Sequence, residues 1–79
     1  MNNREVSIMK ILERKDKMSL SEITRIYLEE NNIIDPSERL KIDEKMFWND
    51  RILKELRKMV KEDSIDVVGE NMFKLKVEK

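Results

Sequence analysis

Ile65-Asp66-Val67-Val68-Gly69-Glu70-Asn71-Met72-Phe73-Lys74-Leu75-Lys76-Val77 places the only glycine of the chain between two runs rich in strand-forming residues, the second alternating apolar with basic. This pattern predicts a β-hairpin over residues 65–77 that turns at Gly69-Glu70-Asn71. A hairpin alone is marginal in water, so it needs another strand to pair with. Met18-Ser19-Leu20, a short stretch between two helical patterns, is the candidate.

Working towards the N-terminus, Trp48, Ile52, Leu53, Leu56, Met59 and Val60 recur at helical spacing, which predicts a helix of roughly five turns from Glu44 to Glu62. Asp35-Pro36-Ser37-Glu38 has a capping side chain, a proline at the first helical position and a glutamate completing a capping box. It predicts a further helix that carries Leu40 and Ile42 and ends or bends near Asp43. Ser21 precedes Glu22, Ile23, Ile26, Tyr27 and Leu28 and is read as the cap of a helix running to about Glu30, stopped by Asn31-Asn32. Val6, Ile8, Met9, Ile11 and Leu12 predict a first helix over Arg4 to Arg14, and the charged Lys15-Asp16-Lys17 interrupts it. Helices followed by a C-terminal hairpin, with a short strand between the first two, follow the element order of a winged helix-turn-helix. The expected fold is therefore α+β: one domain over residues 1–79, with three to four helices, a two-stranded hairpin wing and a short third strand.

Length and composition narrow the chemistry. Seventy-nine residues suffice for one small core. The chain has no cysteine and no histidine, which removes the common zinc and haem ligand sets, thiol nucleophiles and imidazole acid–base pairs. The carboxylate pairs Glu29-Glu30, Asp43-Glu44 and Glu62-Asp63 are sequence neighbours at helix ends, and nothing marks any of them as catalytic. The expectation is a protein that is not an enzyme and takes no cofactor or metal. No run of eighteen uncharged apolar residues occurs, so a soluble, cytoplasmic protein is expected. Seventeen basic residues balance seventeen acidic ones, and the two halves of the chain hardly differ, so any basic patch has to be assembled by folding.

The Glu44 to Glu62 helix supplies such a patch. Projected at about 100° per residue, it sets Trp48, Ile52, Leu56, Met59 and Val60 on one side. The other side collects Phe47, Asp50, Arg51, Lys54, Arg57, Lys58 and Lys61. Arginines and lysines on a helix of this kind can reach DNA phosphates and guanine edges in the major groove, and Lys74 and Lys76 on the hairpin can add backbone contacts. A solvated amphipathic helix also carries charge opposite its core stripe, but usually of both signs. Phe47 on that side is either an exposed anchor or a sign that the helix begins later, and the later start is the favoured reading. Trp48 and Tyr27 fall in line with the apolar stripes and are read as core, and the scattered methionines as gap fillers.

Asp63-Ser64-Ile65-Asp66-Val67-Val68-Gly69-Glu70-Asn71-Met72-Phe73-Lys74-Leu75 resembles the C-terminal hairpin of HARE-HTH winged-helix domains. The front of the chain fits as well, with the Ile8 to Leu12 helix and then Lys17-Met18-Ser19-Leu20-Ser21-Glu22-Ile23 like that family's strand entering a helix. The amino-terminal domain of the bacterial RNA polymerase delta subunit is the member it most resembles, and the amino-terminal domains of Mrr-like restriction proteins look similar in layout. Phe73 stands where the family often carries tryptophan, and delta's acidic extension has no counterpart in these residues. The resemblance implies a winged-helix fold and partners among DNA, transcription or chromatin components. Two functions are thus expected. One is a small double-stranded-DNA-binding transcriptional regulator using Arg51, Lys54, Arg57, Lys58, Lys61, Lys74 and Lys76, with a homodimer through Val6, Ile8, Met9, Ile11 and Leu12. The other is a protein-interaction module that docks on RNA polymerase or another transcription component.

Overall fold

The hairpin forms where the sequence places it. In the computed structural model, which describes residues 3–76, strands β2 (Ile65–Val68) and β3 (Met72–Leu75) pair antiparallel with Val68 opposite Met72 and Ile65 opposite Leu75. Gly69 and Asn71 turn the chain with φ of 60° and 57°, the left-handed region that glycine enters freely and asparagine tolerates. Val77, expected in the second strand, lies outside the described residues. The third strand is β1 (Met18–Ser19), which pairs antiparallel with β3, Met18 facing Phe73, and gives the sheet order β1-β3-β2.

Three helices complete the described chain: α1 (Asn3–Leu12), α2 (Leu20–Glu30) and α3 (Ile42–Lys61). The apolar stripes meet in one core. It is built from Ile8, Ile11 and Leu12 of α1, Ile23, Tyr27 and Leu28 of α2, Ile52, Leu56 and Met59 of α3, and Met18, Ile65 and Phe73 of the sheet. Each of these large side chains contributes roughly 1.5–3 kcal/mol by leaving water. Trp48 is half-buried against this core, its ring 6.5 Å from that of Tyr27, as the helical spacing predicts. Because Ile8, Ile11 and Leu12 are consumed by the core and Met9 packs against it, Val6, at 37%, is the one apolar residue of α1 left exposed. That leaves little apolar surface for dimerisation through this helix.

Three local expectations are corrected. The cap of α2 is Ser19, not Ser21: its backbone is extended, as β1 requires, and its Oγ accepts the Glu22 amide at 3.2 Å. The helix expected after Asp35-Pro36 does not form. Half of the capping box is present, the Asp35 amide donating to Glu38 Oε1 (3.2 Å), while the Glu38 amide donates to the Asp35 backbone carbonyl (2.9 Å) in a turn. They close one turn and no more, and Arg25 Nη2 holds that turn by donating to the carbonyls of Pro36 (2.8 Å) and Asp35 (3.4 Å). Ile42 instead opens α3, whose start is marked by the extended Lys41 donating its amide to Glu44 Oε1 at 3.2 Å. The third correction concerns Phe47. The helix begins earlier than expected, not later, so Phe47 lies well inside it and is 51% exposed.

Candidate nucleic-acid interface

Helix α3 has 20 residues, about 30 Å at 1.5 Å per residue, longer than the core beneath it. Residues 41–47 are all exposed, so the first turns project beyond the packed layer. Different neighbours flank the rest. Arg51, Lys54 and Lys58 line a cleft shared with Arg4 of α1. On the other flank, Arg57 and Lys61 line a groove against the hairpin, floored by Leu53, Val60, Val67 and Phe73.

Folding pairs the two lysines of the first flank with carboxylates. Lys58 Nζ lies 3.1 Å from Oε1 of Glu5, a residue only 6% exposed, and 4.0 Å from Glu55 Oε2. The hydrogen bond and charge of Glu5 hold the Lys58 ammonium above its ordinary 10.5, with the charges of Glu55 and Glu62 adding to this and partial desolvation opposing it. Lys54 pairs with Asp50 one turn earlier, at 3.3 Å. The Arg51 guanidinium sits 4.4 Å above the centre of the Phe47 ring, and that ring meets Trp48 edge-on at 5.4 Å, a cation–π arrangement that fixes both side chains.

The predicted constellation therefore does not gather as one surface. Lys74 lines a cleft with Leu12 and Lys17, on the sheet face opposite Val67 and Phe73, because neighbouring strand residues point to opposite sides. Lys76 donates to Asp63 Oδ1 at 3.1 Å. Among the described residues, Arg57 and Lys61 form no ion pair. Arg51, over the Phe47 ring, and Lys74 likewise have no carboxylate partner among the described residues, but Arg57 and Lys61 are the two that share one groove with no carboxylate in its lining.

Sequence reading missed another basic cleft, where the first turns of α2 and α3 face each other across the 35–41 segment and Arg39, Lys45 and Asn49 converge. A signal existed for Lys45. In helical projection it falls within about 20° of Ile52, on the core side, and a cation there implies that the helix overhangs its core. No such signal existed for Arg39, whose position depends on the helix that fails to form.

Comparison of the chain with protein-family models, with curated proteins and with solved structures finds no match.

Proposed function

We propose that this chain is a winged-helix DNA-binding protein and a transcriptional regulator, with α3 as the helix that enters the major groove and the β2–β3 hairpin as its wing. Three helices and a three-stranded antiparallel sheet in the order β1-β3-β2 are compatible with that fold. The observation that carries the reading is the pairing state of the α3 cations. Lys54 and Lys58 are paired with carboxylates within the domain and Arg51 is held over the Phe47 ring, while Arg57 and Lys61 stand together without a carboxylate partner beside the hairpin. Cations held on a rigid helix without internal counter-ions are suited to displace the counter-ions of a phosphate backbone. The mechanism is occupancy: the helix docks and the hairpin rests along the flanking backbone.

The test is fluorescence anisotropy of a labelled random duplex at about 50 and 200 mM salt. Wild type should bind and weaken steeply with salt. Arg57→Ala/Lys61→Ala should reduce affinity and lower the salt slope by about two, whereas Arg51→Ala/Lys54→Ala should have the smaller effect. No binding at low salt, or binding indifferent to Arg57 and Lys61, would overturn the proposal. A second reading, docking on RNA polymerase or another transcription protein, is favoured by the exposed Ile42 (78%), Met46 (67%), Phe47 (51%) and Val67 (50%). Such a complex would barely respond to salt.

A further inference from the structure

We propose that the cleft between the first turns of α2 and α3 binds a phosphate group. Ser21, Thr24 and Arg25 of α2 form one wall, Arg39 of the connecting segment another, and Lys45 and Asn49 of α3 the third. No carboxylate lines it. The cleft is separate from the α3–hairpin groove, and its argument does not depend on the DNA reading.

Arg25 builds the cleft. Its charge is met by Glu29 at 2.6 Å, and its Nη2 holds the Pro36 carbonyl at 2.8 Å, which fixes the connecting segment and places Arg39 across from α3. Arg39 and Lys45 form no ion pair among the described residues. Two uncompensated cations thus face one space, although acidic residues are as numerous in this chain as basic ones. The polar groups beside them suit the same ligand. Ser21 offers a hydroxyl and Asn49 an amide, while Thr24 is 2% exposed with an Oγ1 that has no hydrogen-bond partner. That hydroxyl has no accessible surface of its own, so it sits behind the cleft wall and the contacts to a ligand fall to Arg39, Lys45, Ser21 and Asn49. Donors arriving from three directions, with positive charge on two of them, match a tetrahedral oxyanion better than a planar carboxylate. The phosphate could be a unit of a nucleic-acid backbone or a free phosphate, and the two sources separate experimentally.

The experiment follows backbone amide shifts of the full chain by NMR during titration with inorganic phosphate, against sodium chloride of equal ionic strength, and then with a short DNA duplex. If free phosphate is the ligand, Ser21, Thr24 and Asn49 should shift saturably with phosphate and not with chloride, and Arg39→Ala/Lys45→Ala should bind about tenfold more weakly. If the source is a nucleic acid, the duplex should shift the same amides, phosphate should compete, and the double variant should lower the salt slope by about two. Both side chains are exposed, so a dispersed spectrum is expected and shows that the variant is folded. Cleft amides unmoved by phosphate and by DNA, or moved equally in the double variant, would overturn the proposal. Should DNA bind through Arg57 and Lys61 while the cleft amides stay still, the phosphate site falls and the DNA reading stands. Phosphate shifts without DNA binding give the reverse.

Discussion

Asn32 and Asp63 each follow a helix with a left-handed backbone, φ 58° and 61°. Behind Asn32, the Ile33 amide returns to the Leu28 carbonyl at 2.9 Å and the Asn32 amide to Glu29 at 3.2 Å; behind Asp63, the Ser64 amide returns to Met59 at 2.9 Å and the Asp63 amide to Val60 at 3.1 Å. These are Schellman closures, which satisfy the last carbonyls of a helix and favour glycine at the left-handed position. Asn32→Gly should therefore stabilise the domain by about 0.5–1 kcal/mol, read as a higher urea midpoint at unchanged slope. A lower midpoint would mean that the Asn32 side chain carries a contact worth more than the relieved backbone. The Asn31-Asn32 stop was legible because asparagine is a known helix terminator. The second closure was not, because aspartate enters the left-handed region less often and nothing local singles out Asp63.

At the scale of elements, the end of β1 and the start of α2 share one residue. Ser19 is extended for its strand pairing and caps the helix with the same backbone. Ser19→Ala should cost about 1 kcal/mol, whereas Ser21→Ala, inside the first turn, should leave stability nearly unchanged; thermal melts of the two variants decide it, and the opposite ranking would restore Ser21 as the cap. Helices and strands were legible wherever a long periodic stripe met a core, as in Ile8 to Leu12 and Trp48 to Val60. The 36–43 segment has strong start signals and no stripe. Half of its capping box forms and Arg25, an element away, holds the single turn, but a start signal cannot propagate a helix without an apolar face to bury.

On the scale of the molecule, ion pairs across elements contribute to its pH response and shape its surface. Lys58 is raised by Glu5, so their pair contributes fully below the ordinary lysine value of 10.5 and is lost as pH climbs through the raised value. Glu22 is lowered, first by its hydrogen bond to Lys15 at 2.7 Å with burial opposing it, so that pair contributes above 4.5 and is lost as pH falls through the lowered value. Urea midpoints measured across pH should accordingly fall at both ends. Lys58→Met should flatten the alkaline limb and Glu22→Gln the acid limb; limbs unchanged by these variants would assign the pH response to other groups. The domain measures 40 × 22 × 21 Å along its principal axes. The sequence alone determined the elements that carry an apolar stripe, their order and nearly all of the core, because periods of two and of 3.6 residues are local properties; it did not show that the segment after Asp35-Pro36 stays non-helical. It also made α3 recognisable as the most basic helix. Only the tertiary structure decided which basic residues meet a counter-ion from another element, because the partner of Lys58 sits on α1 and Lys76 is held by Asp63 beyond the hairpin. The same holds for the cleft of Arg39 and Lys45, since neutralisation depends on a few ångströms between residues far apart in the chain.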